Sequence, residues 1–179
     1  MTHKLSTQEM HRLTVEEFRA SEKLPLTVVL DNVRSQNNIG SVFRTADAFR
    51  VEHIALCGIC STPPHREIHK TALGAEDSVA WSYHEESADC VRDLKSRGYK
   101  IYAVEQVDDS LKLGTQQLAA CCQGAVAIIL GNEIDGVQES LLPLCDGSIE
   151  IPQQGTKHSL NVSCAAAIVM WELFKLMRL

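Results

Sequence analysis

Short apolar runs alternate with helix-spaced apolar positions along most of the chain. Runs rich in β-branched and aliphatic residues predict strands at 26–30, 53–57, 100–107, 125–130 and 148–151. Apolar residues at helical spacing predict helices at 39–49, 85–97, 137–145 and 159–177. This alternation is typical of the α/β fold class, with a mostly parallel sheet flanked by helices. The run at 125–130 is apolar throughout, as in strands that are buried on both faces.

The N-terminal segment has a different pattern. Thr14 and Glu17 have the spacing of a capping box, and residues 4–23 are predicted to be helical. We therefore expect an N-terminal helical extension at 1–24 beside one domain at 25–179. The segment 61–79 is predicted to be a long connection with about one helical turn, because it contains prolines and Gly74. No signal-peptide pattern is present at the start, which predicts a cytoplasmic protein.

Cysteine usage and hydropathy add constraints on the environment. Seven cysteines at irregular spacing favour reduced thiols. Cys57 and Cys60 have the spacing of half a zinc site or of a redox dithiol, but no second pair follows. We interpret both as small apolar residues at a strand end and predict no metal. The last helix has too few unbroken apolar residues to span a bilayer, so no membrane partner is expected.

The net charge of −6 is unusual for a protein that contacts nucleic acid, since phosphate contacts usually need a basic surface. Charge is unevenly distributed, because residues 31–70 contain five cations and four anions. Five side chains are equally compatible with phosphate contacts and with solvated surface: His65, His69, Lys70, Lys157 and His158. Trp81 and Trp171 lie beside aliphatic residues and are predicted to belong to the core or an interface rather than to stack on bases.

Three polar segments begin where predicted strands stop, at 31–44, 130–137 and 151–163. Ligands of open α/β sheets bind at the carboxyl ends of strands, so these segments form the candidate site. Their amides, hydroxyls and glycines suit a neutral or zwitterionic ligand that is held by backbone hydrogen bonds. None of them contains a glycine-rich dinucleotide turn or a P-loop, which weakens nicotinamide, flavin and nucleoside-triphosphate interpretations.

The three segments together resemble the SpoU/TrmH family of SPOUT methyltransferases. Asn38-Ile-Gly-Ser-Val-Phe-Arg-Thr-Ala-Asp-Ala-Phe49 is similar to the first family motif, and Gly131-Asn-Glu-Ile-Asp-Gly-Val137 to the second. Ile151-Pro-Gln-Gln-Gly155 with Ser159-Leu-Asn-Val-Ser163 is similar to the third. The motifs occur in the family's order, and the similarity runs from about Leu26 to the C-terminus. A single motif would be a weak signal, but the ordered set at successive strand ends is specific.

This resemblance implies a fold, a reaction and partners. The expected fold has a C-terminal trefoil knot, an exception to the rule that chains are not knotted. The expected reaction is methylation of a ribose 2′-hydroxyl in tRNA or rRNA with S-adenosylmethionine as cofactor. The resemblance also implies a homodimer with the active site close to the subunit boundary.

The resemblance assigns the catalytic role to Arg44, which occupies the position of the family's proposed general base. Because a guanidinium resists deprotonation, orientation of a phosphate and stabilisation of a developing alkoxide form a second interpretation. A surface ion pair between Arg44 and Asp47 is the structural alternative. No metal is expected for this reaction, because the sulfonium of S-adenosylmethionine already provides a good leaving group.

Four further residues match motif positions with catalytic roles: Asn38, Glu133, Ser159 and Asn161. The structural alternative for Asn38 and for Ser159 is an N-cap of the following helix. For Glu133 it is a carboxylate favoured by a helix dipole. Leu130, Gly131, Ile151, Leu160 and Asn161 are the candidates for the cofactor pocket, and Gly155 is expected to allow a close approach of the third segment.

Two other functions remain open from the sequence. One is a dimeric RNA-binding protein of SPOUT fold without methyltransferase activity. The other is an α/β enzyme that acts on a small nucleotide. Binding of S-adenosylmethionine separates the first from the methyltransferase, and methyl transfer to bulk tRNA separates the second.

Overall fold

The computed structural model describes residues 3–6 and 9–179, which contain one seven-stranded sheet. Its strand order is β3-β2-β1-β6-β4-β7-β5, and every pair of neighbours is parallel. The strands are β1 (Leu24–Asp31), β2 (Val51–Cys57), β3 (Ala80–His84), β4 (Lys100–Val104), β5 (Leu111–Lys112), β6 (Val126–Leu130) and β7 (Gly147–Glu150). The predicted fold class is confirmed. The two edge strands, β3 and β5, were not predicted, because neither contains an apolar run.

The described residues also form seven α-helices and one 3-10 helix. The α-helices are α1 (Val15–Ala20), α2 (Gln36–Ala48), α3 (Arg66–Ala72), α4 (Ala75–Ser78), α5 (Ser87–Ser96), α6 (Gln116–Cys121) and α7 (Val162–Arg178). The helix that was predicted at 137–145 is a 3-10 helix at Glu139–Leu144, which contains Pro143. The segment 61–79 holds two helices rather than one turn, since Leu73 and Gly74 adopt positive φ and separate α3 from α4.

The N-terminal helix is shorter than the predicted segment 4–23. It spans Val15–Ala20 alone, and Thr14 caps it as expected: Thr14 Oγ1 accepts from Glu17 N–H, and a Glu17 oxygen accepts from Thr14 N–H at 2.8 Å. Phe18 is its one buried residue and anchors it to the core. A helix of six residues needs such tertiary support, since short isolated helices are marginal in water.

The sheet separates two apolar layers, because side chains of a strand alternate between its faces. Val28 and Leu30 of β1 pack into one layer with α2 and α7, whereas Val29 packs into the other with α5. All the apolar residues of β6 are buried, as the sequence predicts. With both faces covered by helices, the sheet leaves only its edges and strand ends open to ligands.

The strand-end thiols of Cys57 and Cys60 are buried and free. The Cys60 Sγ–H donates to Leu30 O at 3.3 Å, and burial raises the pKa of Cys60 to about 11. A protonated, buried thiol is a small apolar group, which agrees with the structural interpretation of this pair.

The last helix, α7, carries apolar side chains on both its buried and exposed sides. Val169, Met170 and Leu173 lie in the core, whereas Ile168 and Trp171 remain 40% and 46% exposed. Phe174 stacks on both Trp171 and Phe49 at the end of α2, and the three ring centroids lie 5.4–5.9 Å apart. Among the residues that the structure describes, no helix is long and apolar enough to cross a membrane.

Gly40 lies where α2 packs against α3. A Cβ at this position would lie 2.2 Å from Ile68 O and 2.2 Å from Thr71 Oγ1. We expect Gly40→Ala to lower the free energy of unfolding by about 1–3 kcal/mol, because the two helices must separate. In an open helix the same change stabilises by about 1 kcal/mol, so the sign is diagnostic. Urea denaturation measures it.

Ser41→Ala is the matched control for Gly40→Ala. It changes the next residue of α2 and removes only the hydrogen bond from Ser41 Oγ to Asn37 O. We expect a change within about 0.5–1 kcal/mol for this control. A Gly40→Ala protein as stable as the wild type would contradict the close packing of α2 on α3.

Candidate functional site

Three side chains, one from each polar segment, form a continuous hydrogen-bond chain. Asn38 Nδ2 donates to Glu133 Oε1 at 3.0 Å, and Asn161 Nδ2 donates to Asn38 Oδ1 at 3.2 Å. Asn38 lies on α2, Glu133 follows β6 and Asn161 precedes α7. The chain shows that the three segments converge at one edge of the sheet, as the carboxyl ends of parallel strands should.

Glu133 organises the start of α2. Its carboxylate also accepts the backbone N–H groups of Arg34 and Ser35, each at 3.1 Å. Partial burial opposes its ionisation, but the hydrogen bonds from Arg34, Asn38 and Ser35 outweigh that cost and hold the pKa of Glu133 below its ordinary value. The alternative that a helix dipole favours this carboxylate holds in one respect, because Glu133 lies at the N-terminus of a helix. That helix is α2, however, and not a helix that Glu133 itself begins.

Replacing Glu133 with Gln tests this charge. We expect Glu133→Gln to lower the free energy of unfolding by about 1 kcal/mol at pH 7, since two backbone donors lose a charged acceptor. The folded-state pKa lies below the ordinary value of 4.5. The stabilisation is therefore fully present above that value and is lost as the pH falls through the lowered pKa. Urea denaturation at pH 7 and pH 3 should show the difference between the proteins shrinking at pH 3, and a constant difference would contradict the prediction.

The N-cap alternatives for Asn38 and Ser159 are both wrong. Ser35 caps α2, and its Oγ accepts from Asn38 N–H at 3.3 Å, so Asn38 lies inside the first turn. Asn161 caps α7, and its Oδ1 accepts from Ser163 N–H at 2.9 Å. The side chain of Asn38 is consequently free to join Glu133 to Asn161.

A cavity of about 640 Å³ lies beside this chain. The cavity is lined by all the residues predicted for the cofactor pocket, which are Leu130, Gly131, Ile151, Leu160 and Asn161. Glu133 and Ser159 line it as well. Apolar walls are added by Val137, Leu142 and Ile149. Such a volume accommodates a small-molecule cofactor, and cofactor sites commonly combine apolar walls with a few polar groups.

The cavity is lined by carboxylates of five residues: Glu105, Glu133, Asp135, Glu139 and Glu150. No lysine or arginine lines it among the residues that the structure describes. A cavity with this charge attracts a cation and repels phosphate. The residues present therefore fit S-adenosylmethionine, whose sulfonium and ammonium groups are positive, and they disfavour a nucleotide cofactor.

The second polar segment is a tight turn whose glycines are required by space. Asn132 and Gly136 exchange two backbone hydrogen bonds at 2.9 and 3.0 Å. A Cβ on Gly131 would lie 2.0 Å from Gly136 C and 2.1 Å from Val137 N. Gly136 has φ +72°, and a Cβ there would lie 2.4 Å from Glu105 Oε2. By contrast, no other atom of the described residues lies within 4 Å of a Cβ at Gly155, and the expected close approach there stays a prediction.

A fourth segment, which the sequence pattern did not predict, lies at the same end of the strands. Glu105 and Gln106 follow β4, which lies between β6 and β7 in the sheet. Glu105 Oε2 accepts from Val137 N–H at 3.3 Å, and Gln106 Nε2 donates to His158 O at 3.0 Å. The sequence could have indicated this segment, because the predicted strand at 100–107 had to end at the same place. Its polar residues Glu105 and Gln106 were instead counted as part of the strand.

Asp31 was also missed as an organising residue. It is fully buried at the end of β1 and accepts four hydrogen bonds. Gln138 donates two of them, through its backbone N–H at 3.0 Å and Nε2 at 2.6 Å. Ser87 Oγ and Asn32 Nδ2 donate the others. A fully paired buried carboxylate fixes the segment after β6 against the end of β1.

Arg44 stands apart from the cavity. It lies on α2, six residues after Asn38 and hence about 9 Å further along the axis, and it does not line the cavity. The surface ion pair with Asp47 is absent from the part of the chain that the structure describes, where Asp47 Oδ2 instead accepts from Ser78 Oγ. The guanidinium is exposed and available to an incoming ligand.

The other RNA candidates are divided. Lys70 pairs with Glu67 at 2.7 Å and His69 with Glu76 at 2.5 Å, whereas His158 lines the cofactor cavity. Trp81 packs against the core, as predicted, but it is only half-buried and also lines a second cavity.

Comparisons with known proteins agree with this geometry. Residues 25–171 match the model of the SpoU rRNA Methylase family. The tRNA (guanosine(18)-2′-O)-methyltransferase of Thermus thermophilus is 33% identical over 92% of this chain and 81% of its own length. The 23S rRNA (guanosine-2′-O-)-methyltransferase RlmB of Xanthomonas axonopodis pv. citri is 30% identical over 82% of this chain and 57% of its own.

Solved structures extend the agreement to the fold. The AdoMet-bound rRNA methyltransferase of Sinorhizobium meliloti superposes with a TM-score of 0.76, at 25% identity, over 88% of this chain and 59% of its own. The family match at residues 25–171 contains all three polar segments and every residue that lines the cavity. The chain belongs to the SpoU rRNA Methylase family.

Proposed function

We propose that this protein transfers a methyl group from S-adenosylmethionine to a ribose 2′-hydroxyl of tRNA or rRNA. The observation that carries the proposal is the chain Glu133–Asn38–Asn161 beside a cavity lined by carboxylates. Relatives that match most of the chain are named as tRNA and 23S rRNA guanosine-2′-O-methyltransferases, which supports this class of substrate.

The residues divide the work between the cavity and α2. S-adenosylmethionine supplies, when bound, a methyl group that its sulfonium already activates. Leu130, Ile151 and Leu160 provide apolar contact, and Gly131 lets the backbone line the cavity. Glu133 and Asn161 hold the cavity against α2 through Asn38. Arg44 binds the nucleotide phosphate and stabilises the negative charge on the attacking ribose oxygen, while the hydroxyl proton passes to a base or to water.

The proposal includes a homodimer in which Arg44 lies close to the subunit boundary. The exposed apolar side of α7, with Ile168, Trp171 and Leu176, is the surface that supports it. Large apolar side chains that stay exposed on one helix mark a candidate interaction surface. Sedimentation equilibrium tests the dimer, and a monomer at micromolar concentration would contradict it.

The knot and the location are also proposals. α7 follows β7 yet packs on α2 and β1, from which β7 is separated by β4 and β6. The segment 151–161 therefore crosses back over two strands, as a trefoil-knotted C-terminus requires.

All seven cysteines are free thiols, which supports a cytoplasmic location.

A transfer assay tests the proposal directly. The protein is incubated with methyl-labelled S-adenosylmethionine and total tRNA or rRNA, and the RNA is digested for mass spectrometry of its nucleosides. We expect label in a 2′-O-methylnucleoside. Cofactor binding by calorimetry without transfer to either RNA would favour the non-catalytic RNA-binding alternative, and transfer to a free nucleotide would favour the small-nucleotide enzyme.

A further inference from the structure

A second cavity of about 630 Å³ lies at the β3 edge of the sheet and shares no lining residue with the cofactor cavity. Its walls come from α1, the segment before α3, α3 itself, α4 and the start of β3. α3 packs on α2, and Thr71 Oγ1 donates to Asn37 O at 2.9 Å, next to Asn38. The cavity is thus joined through α3 to α2, the helix that carries Arg44.

The walls combine aromatic and cationic groups. Trp81 is half-buried and lines the cavity with Pro63 and Pro64, whose rings are also apolar. Arg19 and Arg66 bring guanidinium groups to the same cavity. Such a pairing of an aromatic face with cations is what single-stranded nucleic acid sites use, because bases stack and phosphates need positive partners.

The arginines of the chain are paired unequally. Arg92, Arg97 and Arg178 lie within 3.5 Å of a carboxylate oxygen. Within residues 3–6 and 9–179, six others have no carboxylate within 4.0 Å: Arg12, Arg19, Arg34, Arg44, Arg50 and Arg66. In a chain with net charge −6, carboxylates are in excess, so guanidiniums that have no carboxylate partner remain available to an anionic partner.

Two carboxylates face the second cavity and limit what it accepts. Glu76 is already engaged, since it accepts from His69 Nδ1 at 2.5 Å and from Gly74 N–H at 3.0 Å. Asp77 is exposed, and its backbone oxygen accepts from Arg19 Nη2. A free carboxylate beside an aromatic face accepts hydrogen bonds from N–H groups of a base. A bare inorganic anion therefore fits this cavity less well than a nucleotide.

We infer that the second cavity is a subsite for an unpaired nucleotide of the RNA substrate, distinct from the nucleotide that is methylated. The base stacks on Trp81, and the adjoining phosphate binds Arg66 and Arg19. The unpaired arginines Arg34 and Arg44 then guide the same strand toward the cofactor cavity. This inference rests on the proposed RNA substrate, and it explains how a chain with a net charge of −6 can bind RNA.

RNA binding and turnover of Arg66→Ala test the subsite. We measure the affinity for total tRNA and for rRNA by filter binding, and the KM and kcat with the RNA that accepts methyl groups. We expect the affinity for RNA to fall and KM to rise, each by about 5- to 20-fold. The kcat at saturating RNA and the affinity for S-adenosylmethionine should stay within twofold of the wild type. The slope of log affinity against log salt should fall by about 0.7–0.9, since one phosphate contact is lost. Arg66→Lys should recover most of the salt slope.

Arg92→Ala is the control, because it removes an exposed arginine that pairs with Asp89 on α5, across the sheet. It should leave RNA affinity and salt slope unchanged. Trp81→Phe provides a second readout: RNA should quench part of the wild-type tryptophan fluorescence, and this part should be missing in the variant. Equal affinities and slopes for Arg66→Ala and Arg92→Ala would overturn the subsite.

The outcome also separates this inference from the proposed function. A wild type that binds RNA through Arg66 but transfers no methyl group keeps the subsite and removes the methyltransferase. A wild type that methylates RNA with unaltered KM in Arg66→Ala keeps the enzyme and removes the subsite. A wild type with no affinity for tRNA or rRNA removes both.

Discussion

Arg44→Ala is expected to lower the rate of methyl transfer at saturating RNA by about 100- to 1,000-fold while cofactor affinity stays unchanged. The rate falls because the guanidinium stabilises charge that develops on the ribose oxygen, and loss of one such group costs about this factor. Cofactor affinity stays because Arg44 does not line the cavity that fits S-adenosylmethionine. Single-turnover transfer of labelled methyl and calorimetry with the cofactor measure the two effects separately.

Arg50→Ala is the matched control for Arg44→Ala. Arg50 is also exposed, follows the end of the same helix and belongs to the same unpaired set, but lies further from Asn38. We expect its rate to remain within threefold of the wild type. Arg44→Lys should recover part of the rate if the side chain acts by its charge. A wild-type rate for Arg44→Ala would remove this residue from the mechanism.

Gly131→Ala is expected to weaken cofactor binding by more than about 100-fold. The added Cβ would meet Gly136 C and Val137 N at 2.0 and 2.1 Å, which are backbone atoms of the turn that lines the cavity. Real Cβ atoms do not approach that closely, so the turn must move and the cavity must change shape. Calorimetry with S-adenosylmethionine measures the loss, and circular dichroism checks that the sheet still forms.

Gly155→Ala makes the same chemical change in the third segment, where no atom lies within 4 Å of the new Cβ. We expect its cofactor affinity to remain within about twofold of the wild type. If Gly131→Ala binds S-adenosylmethionine weakly and Gly155→Ala binds it with wild-type affinity, the loss is caused by the change in the turn. Similar affinities for both variants would mean that the turn between Gly131 and Val137 adapts without cost.

The buried strands were predictable because burial on both faces leaves a readable apolar run. Edge strand β3 was not, since Trp81, Ser82, Tyr83 and His84 are exposed or half-buried and mix polar with aromatic residues. Helix α1 was overpredicted because a capping box indicates where a helix begins but not how far it continues. Its length follows from the one tertiary contact that Phe18 makes.

The candidate site was predictable as three converging segments, because parallel strands end at a common edge. The partners within it were not. Glu133 and Asn38 are 95 residues apart, and Asp31 and Gln138 are 107 residues apart. Local spacing indicates N-caps at Asn38 and Ser159, but Ser35 and Asn161 take those positions. Choosing among neighbouring polar residues requires the position of the other chain segments, which no local pattern contains.

The chain Glu133–Asn38–Asn161 has a fixed polarity. A carboxylate at one end can only accept, and the Ser163 backbone N–H at the other end can only donate. Each asparagine amide between them is therefore held in one of its two orientations. An Asn38→Asp exchange preserves the shape of the side chain but places two acceptors, the new carboxylate and Glu133, against each other. The change of one atom would therefore break the hydrogen bond that joins the methyl-donor cavity to the substrate-facing helix.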